Sequence, residues 1–108
     1  MFVFFPFRKL LKMDGSLTNE DLELPPEELI KKLTKTYFVT VFAKSYCKYS
    51  KRVKLFFRTK NIDFKAVDLD TLGEPGKDIQ AKLLELTGQS TVPNVWVNGN
   101  FIGKQALL

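Results

Sequence analysis

The spacing of hydrophobic residues changes several times along this chain, and each change predicts a new secondary-structure element. Pro25-Pro26-Glu27-Glu28 opens an amphipathic helix, because proline in a first turn and acids beside it are ordinary helix-start signals. After Thr36 the period becomes that of a buried strand through Ala43, and helical spacing returns from Lys48 to Lys60. The folded part of the chain therefore begins as helix, strand and helix.

The second half of the chain continues this alternation. Residues 64–69 predict a second strand, which the intervening helix makes parallel to the first by a right-handed crossover. Gly73 to Gly76 is predicted to be a turn. Asp78 is predicted to cap a third helix, which ends at Gly88 in the usual position for a C-terminal glycine.

The last elements form a predicted hairpin. Val95–Val97 and Asn100–Ile102 flank Asn98-Gly99, a strong signal for two antiparallel strands joined by a two-residue turn. Trp96, within the first of these strands, is assigned to the core. The whole order predicts an α/β domain in which a four-stranded mixed sheet carries helices on its faces.

Residues 1–24 are expected to be a flexible N-terminal extension, and residues 25–108 a single domain. Met1 to Phe7 is nearly all apolar and is followed by basic residues, but it is too short to span a bilayer and lacks the order of a secretory signal. Its role as a targeting segment or as non-structural sequence stays open. The lone free thiol favours a cytoplasmic location, with a mitochondrial one as the alternative.

Composition excludes several function classes. The chain has 108 residues, one cysteine and no histidine, so an intramolecular disulfide, a structural zinc site and a Ser-His or Cys-His catalytic pair within it are excluded. The net charge of +5 favours anionic partners. Because the lysines are spread over several segments without any nucleic-acid-binding signature, nucleic acid is not an expected partner.

The single cysteine, Cys47, lies where the first strand gives way to the basic helix. A helix start supplies unpaired backbone N–H groups and the positive end of the dipole, which favour thiolate over thiol. Four nearby cations act in the same direction: Lys44, Lys48, Lys51 and Arg52. The alternative is a buried, inert cysteine. Polar neighbours favour the reactive interpretation.

Three motifs, in order, carry a family resemblance: Lys44-Ser45-Tyr46-Cys47-Lys48-Tyr49-Ser50, Thr91-Val92-Pro93, and Asn98-Gly99-Asn100-Phe101-Ile102-Gly103. From about Lys35 to Gly103 the chain resembles the glutaredoxin family, which has the thioredoxin fold. The resemblance implies a glutathione-dependent thiol–disulfide oxidoreductase that reduces mixed disulfides between proteins and glutathione. The implied partners are therefore glutathione, as co-substrate, and glutathionylated proteins.

The resemblance also implies residue roles. Cys47 matches the nucleophile, and Ser50 stands where two-cysteine members have the resolving cysteine, so a one-cysteine mechanism is expected. Residues implied to contact glutathione are Lys44, Tyr49, Gln80, Thr91, Val92, Pro93 and Gly103. Lys44 and Gln80 match positions that meet the glycyl carboxylate. The resemblance implies a cis bond before Pro93, whereas the local sequence alone favours trans.

The chain departs from the family pattern after the hairpin. Members usually continue with Gly-Gly-x-Asp-Asp and a closing helix, but Lys104 replaces the second glycine and both acids are absent. A missing closing helix and weakened glutathione binding are therefore expected. Two alternatives stay open: a non-enzymatic or vestigial binding module, and a carrier of a glutathione-ligated 2Fe–2S iron–sulfur cluster. A monomer is expected, with a dimer only where a cluster is bound.

Overall fold

The structure is a computed structural model that describes residues 17–103, and its elements alternate between helix and strand. In chain order they are α1 (Asn19–Glu23), α2 (Pro26–Thr36), β1 (Val39–Ala43), α3 (Lys48–Thr59), β2 (Lys65–Asp68), a 3₁₀ turn (Leu69–Thr71), α4 (Glu74–Thr87), β3 (Asn94–Val97) and β4 (Asn100–Phe101). The predicted α/β class and the four-stranded mixed sheet are both confirmed.

The sheet is built around β1, in the strand order β2-β1-β3-β4. β1 pairs parallel to β2 and antiparallel to β3, with Val41 opposite Ala66 on one side and Val95 on the other. All five residues of β1 are buried, as its continuous apolar pattern predicts. The carboxyl end of β1 leads directly into the loop that carries Cys47.

Helices cover the two faces of the sheet and close two separate cores. On the first face α2 and α4 contribute to a cluster of Leu29, Ile30, Leu33, Phe42, Val67, Leu69, Ile79 and Leu83. On the second face α3 contributes to a cluster of Val39, Val41, Ala43, Val53, Phe57, Phe64, Ala66 and Val95. Trp96 packs against the first cluster, which confirms its assignment to the core.

The hairpin forms as predicted. Asn98 has φ 53° and Gly99 has φ 79°, so both turn residues adopt the left-handed conformation that a two-residue hairpin turn of this kind requires. β3 and β4 pair antiparallel through Trp96 opposite Phe101. The antiparallel pairing of β3 with β1, in which Asn94 lies opposite Phe42, places the loop before β3 at the same end of the sheet as Cys47.

Helix α1 lies in the segment predicted to be flexible, and the sequence analysis missed it. Thr18 and Asp21 form a reciprocal capping box, and Lys32 of α2 donates to Asp21 at 2.6 Å. Burial raises the pKa of Asp21, but the bonds from Lys32 and Thr18 outweigh it and lower the pKa overall. Leu17 and Leu24 pack against the first core. Residues 1–16 lie outside the described residues, so the division of the chain at residue 24 stays a prediction.

The start of α4 differs from the prediction. The helix begins at Glu74, with Gly73 at its N-cap in a left-handed conformation (φ 68°) and a proline in its first turn, so Asp78 lies inside the helix and does not cap it. Gly76 is therefore helical rather than part of a turn. The glycine and proline signals that suggested a turn instead mark a helix start against the 3₁₀ turn.

We expect Gly76→Ala to destabilise the fold, although alanine is intrinsically the better helix former by about 1 kcal/mol. A Cβ at residue 76 would lie 2.0 Å from the backbone oxygen of Leu69, so the helix and the 3₁₀ turn would have to separate. Overpacking of this kind costs about 1–3 kcal/mol, equivalent to a melting temperature lower by roughly 5–15 °C. Thermal unfolding followed by circular dichroism measures it.

Asp78→Ala, an exposed position on the same helix, is the control and should change stability by less than about 0.5 kcal/mol. A higher melting temperature for Gly76→Ala than for the wild-type chain would contradict the close approach.

Candidate thiol site

Cys47 occupies the N-cap of α3 and is partly exposed. Its backbone carbonyl accepts from the N–H of Lys51, and its own N–H donates to the carbonyl of Lys44. The thiol reaches across to the loop before β3, where Sγ lies 3.9 Å from the carbonyl oxygen of Val92. The structure therefore brings the first two sequence motifs together at one end of the sheet.

Ser50 lies one turn further along α3 and is completely buried (0% exposed). Its hydroxyl oxygen accepts from the N–H of Lys44 at 3.4 Å, so it supports the loop that follows β1. An alcohol cannot form a disulfide with Cys47. Ser50 therefore stabilises the loop through its hydrogen bond, and it cannot take part in disulfide exchange.

The bond between Val92 and Pro93 is cis. The cis geometry that the resemblance implied is confirmed, and the trans bond that the local sequence favoured is wrong. Thr91 is exposed, Val92 packs against the first core and Pro93 is buried. The loop thus contains the less common isomer. Its tertiary contacts, such as the packing of Val92, are not visible in the local sequence.

Two glutamine side chains hold this loop. Gln89 Nε2 donates to the carbonyls of both Thr91 and Pro93 at 2.8 Å, and Gln80 Nε2 donates to the carbonyl of Ser90 at 2.8 Å. Sequence analysis assigned Gln80 to the glutathione carboxylate and missed Gln89 altogether. An amide two residues before a Thr-Val-Pro loop was the available signal, since an amide can bridge two backbone carbonyls.

A cavity of about 270 Å³ opens beside the Cys47 loop, between that loop and the start of α4. Its lining residues are Lys44, Tyr46, Leu69, Asp70, Gly73, Gly76, Lys77 and Gln80. The structure thus brings Lys44 and Gln80 together, as the resemblance implied, and adds Lys77, which sequence analysis missed. Two ammonium groups and an amide make the cavity suitable for a carboxylate.

Asp70 ties the two loops that border this cavity. Its carboxylate accepts from the backbone N–H of Ser45 at 2.8 Å and from the Ser45 hydroxyl. These hydrogen bonds, with a smaller contribution from the Lys44 charge, lower the pKa of Asp70 below its ordinary value. The carboxylate is therefore ionised at neutral pH and anchors the residue next to Lys44.

Five of the predicted contact residues do not line the cavity: Thr91, Val92 and Pro93 belong to the loop before β3, and Tyr49 and Gly103 lie elsewhere. Tyr49 is 45% exposed on the first turn of α3, with the Arg52 guanidinium 5.8 Å from its ring centre. Gly103 has φ 74° and lies close to Phe101 and to Gln89 Oε1. Lys104, at which the chain departs from the family pattern, lies outside the described residues.

Neither a metal centre nor a membrane span is found in the part of the chain that the structure describes. Residues 17–103 contain no group of three or more cysteine, aspartate or glutamate side chains placed to hold a metal ion. No helix in the same range is long and apolar enough to cross a bilayer. A glutathione-ligated iron–sulfur cluster would take only Cys47 from each chain, so the absence of such a group does not bear on it, and the cluster stays a prediction.

Comparison with known proteins identifies the family. Residues 39–102 match the family model described as Glutaredoxin. Glutaredoxin-C1 of Arabidopsis thaliana is 40% identical over 81% of this chain and 68% of its own length. Monothiol glutaredoxin-S10 of Oryza sativa subsp. japonica is 40% identical over 71% of this chain, which spans about half (47%) of that relative.

Solved structures agree with the sequence comparison. The crystal structure of a buckwheat glutaredoxin–glutathione complex superposes with a TM-score of 0.68 and 38% identity, covering 81% of this chain and 77% of the buckwheat chain. The thioredoxin-like architecture is thereby confirmed, and so is the family resemblance that the three sequence motifs carry. This chain belongs to the glutaredoxin family.

Proposed function

We propose that this glutaredoxin-type thiol oxidoreductase reduces mixed disulfides between proteins and glutathione by a one-cysteine mechanism. The observation that carries the proposal is the position of Cys47: its sulfur lies 3.9 Å from the Val92 carbonyl oxygen at a helix N-terminus, and the loop that precedes it lines a cavity with two lysines. The buckwheat relative, whose structure is a glutathione complex, supports glutathione as the ligand.

The chemistry needs one protein sulfur and two glutathiones. The Cys47 thiolate attacks the glutathione sulfur of the mixed disulfide, a new S–S bond forms between Cys47 and glutathione, and the substrate cysteine leaves with the electron pair and takes up a proton. A second glutathione, as thiolate, attacks the glutathione sulfur of the adduct. Oxidised glutathione forms, and Cys47 returns to its thiolate.

The surrounding residues are proposed to bind and orient the glutathione half. Lys44 and Lys77 attract its glycyl carboxylate into the cavity. The N–H and carbonyl of Val92 pair with the extended peptide in the manner of an added strand. Gln80 and Gln89 hold the carbonyls around Val92, so the loop keeps its shape when the substrate arrives.

Other expectations from the sequence stay predictions. Contacts of Tyr49 and Gly103 with glutathione, a cytoplasmic location and a monomeric state are not tested by the structure. Weakened glutathione binding, expected from Lys104 and the absent acids, is likewise a prediction. The non-enzymatic binding module is the alternative function, and glutathione uptake by Cys47 distinguishes it from the enzyme.

We expect Cys47→Ser to abolish glutathione adduct formation and all turnover, because the oxygen nucleophile cannot exchange with a disulfide. Ser50→Cys should retain glutathione-coupled turnover, because Cys47 keeps its position. Intact mass after exposure to glutathione disulfide should show one added glutathione on the wild-type chain and none on Cys47→Ser. Turnover is followed with the mixed disulfide of glutathione and 2-mercaptoethanol, coupled to glutathione reductase.

Circular dichroism of both variants shows whether the fold is retained. Wild-type protein that is folded but takes up no glutathione, or a Cys47→Ser rate equal to the wild-type rate, would refute the enzyme in favour of the binding module.

We expect Lys44→Ala and Lys77→Ala each to raise the KM for the glutathione substrate, with a smaller effect on kcat. Both side chains meet a carboxylate at a solvent-accessible cavity, where such a pair is worth about 0.5–1 kcal/mol, or roughly a two- to fivefold change in KM. Steady-state kinetics with the same small mixed disulfide measures it.

Lys82→Ala is the matched control, since Lys82 lies on the same helix as Lys77 and pairs with Glu85 away from the cavity. The effect of each cavity variant should disappear when the glycyl carboxylate of the substrate is amidated. An equal loss with the amidated substrate would show that these lysines do not act through that carboxylate.

A further inference from the structure

Helix α3 presents a continuous basic stripe to solvent. Its exposed positions follow helical spacing from the thiol outward and include Lys48, Lys51, Arg52, Leu55 and Arg58. The opposite side of the helix is buried through Ser50, Val53 and Phe57. We refer to the five exposed residues as the α3 stripe.

The charges of the α3 stripe are not neutralised within the described part of the chain. The sequence of α3 contains no acidic residue, and its one cation in an ion pair between described residues is Lys54, which pairs with Asp68 at 2.8 Å beside the stripe. Leu55, in the middle of the stripe, is 60% exposed. The stripe is therefore an uncompensated cationic surface with an apolar centre.

The position of the α3 stripe relative to the thiol indicates what it can meet. The cavity with Lys44 and Lys77 has no lining residue from α3, and α4 and α3 cover opposite faces of the sheet. If glutathione occupies that cavity, the protein half of the mixed disulfide extends from Cys47 in a different direction. The α3 stripe begins at the residue next to the thiol and is therefore near that protein half. From Lys48 to Arg58 the stripe spans eleven residues, or about 15 Å along the helix axis, enough for roughly four or five residues of extended peptide.

We propose that the α3 stripe docks an acidic segment of the protein partner, next to the glutathionylated cysteine that Cys47 attacks. The proposal rests on the proposed function and adds the class of protein substrate to it. Carboxylates complement the four cations of the stripe, and an apolar side chain within the segment covers Leu55. Charge of this kind raises association rates roughly 10- to 1000-fold at low salt, so the preference is expressed in kcat/KM.

The test compares two peptides that carry one glutathionylated cysteine flanked on both sides by glutamates or, in the matched peptide, by glutamines. At low ionic strength we expect kcat/KM for the glutamate peptide to exceed that for the glutamine peptide by roughly tenfold. Raising the salt concentration should bring the ratio close to one. The ratio cancels any effect on the reactivity of Cys47, because both peptides undergo the same chemistry.

Lys51→Glu combined with Arg52→Glu should remove or invert this preference. Lys31→Glu combined with Lys35→Glu is the control, since it makes the same change in net charge on α2, which packs on the other face of the sheet. A wild-type ratio near one, or a ratio lowered equally by the control pair, would overturn the docking proposal. So would tight binding of a labelled oligonucleotide at physiological salt without a preference between the peptides.

Failure of the proposed function gives a different result. The wild-type chain would then not turn over the small mixed disulfide of glutathione and 2-mercaptoethanol. In that case docking is decided by fluorescence anisotropy with the Cys47→Ser chain, which should still bind the glutamate peptide more tightly than the glutamine peptide. Equal binding of the two peptides would overturn the docking proposal independently.

Discussion

The burial of β1 on both faces is the constraint on which the rest of this structure depends. The strand is held parallel to β2 and antiparallel to β3, and its side chains alternate between two apolar cores. A strand in this position cannot slip by one residue without moving its side chains into the wrong core. Because β1 is fixed, the point at which it ends is fixed as well, and the thiol loop begins there.

Polar contacts then set the shape of the site from three directions. Asp70 holds Ser45 from the β2 side, Ser50 accepts from Lys44 beneath the loop, and Gln89 bridges the carbonyls around Val92 from the β3 side. These side chains shape the site through their contacts with the protein, without any contact with a substrate. They fix the thiol loop, the Lys44 backbone and the Val92 backbone relative to one another.

Local sequence patterns predicted the parts of the fold in which propensity and burial agree. The continuous, largely apolar run of β1, the amphipathic α2 and the Asn98-Gly99 turn are of this kind. The prediction failed where a tertiary contact decided the outcome. Gly76 is helical because α4 packs closely on the Leu69 backbone, and α1 forms because its capping box is reinforced by Lys32 from the next helix.

The residues of the candidate site also fall into those that local sequence could suggest and those that only tertiary contacts bring together. Cys47, Lys44 and the Val92-Pro93 loop could be proposed because their motifs lie within short stretches of sequence, whereas Gln80 lies in none of the motifs and was proposed from the family resemblance. Lys77 and Asp70 were missed because they meet Lys44 only after the helix and the 3₁₀ turn fold against the first loop. A single sequence gives no sign of such long-range contacts, whereas a strand, a turn and a helix start are each visible locally.

In the proposed one-cysteine mechanism, the serine that stands where a second thiol would be also determines the kinetic order of the redox cycle. With one cysteine, the chain cannot close a disulfide on itself, so every disulfide that it forms includes a second molecule. Both the formation of such a disulfide and its reduction are then bimolecular. The rate at which the Cys47 thiol is restored scales with the concentration of the thiol that attacks the mixed disulfide. Dilution of that thiol therefore slows the cycle without any change in the protein.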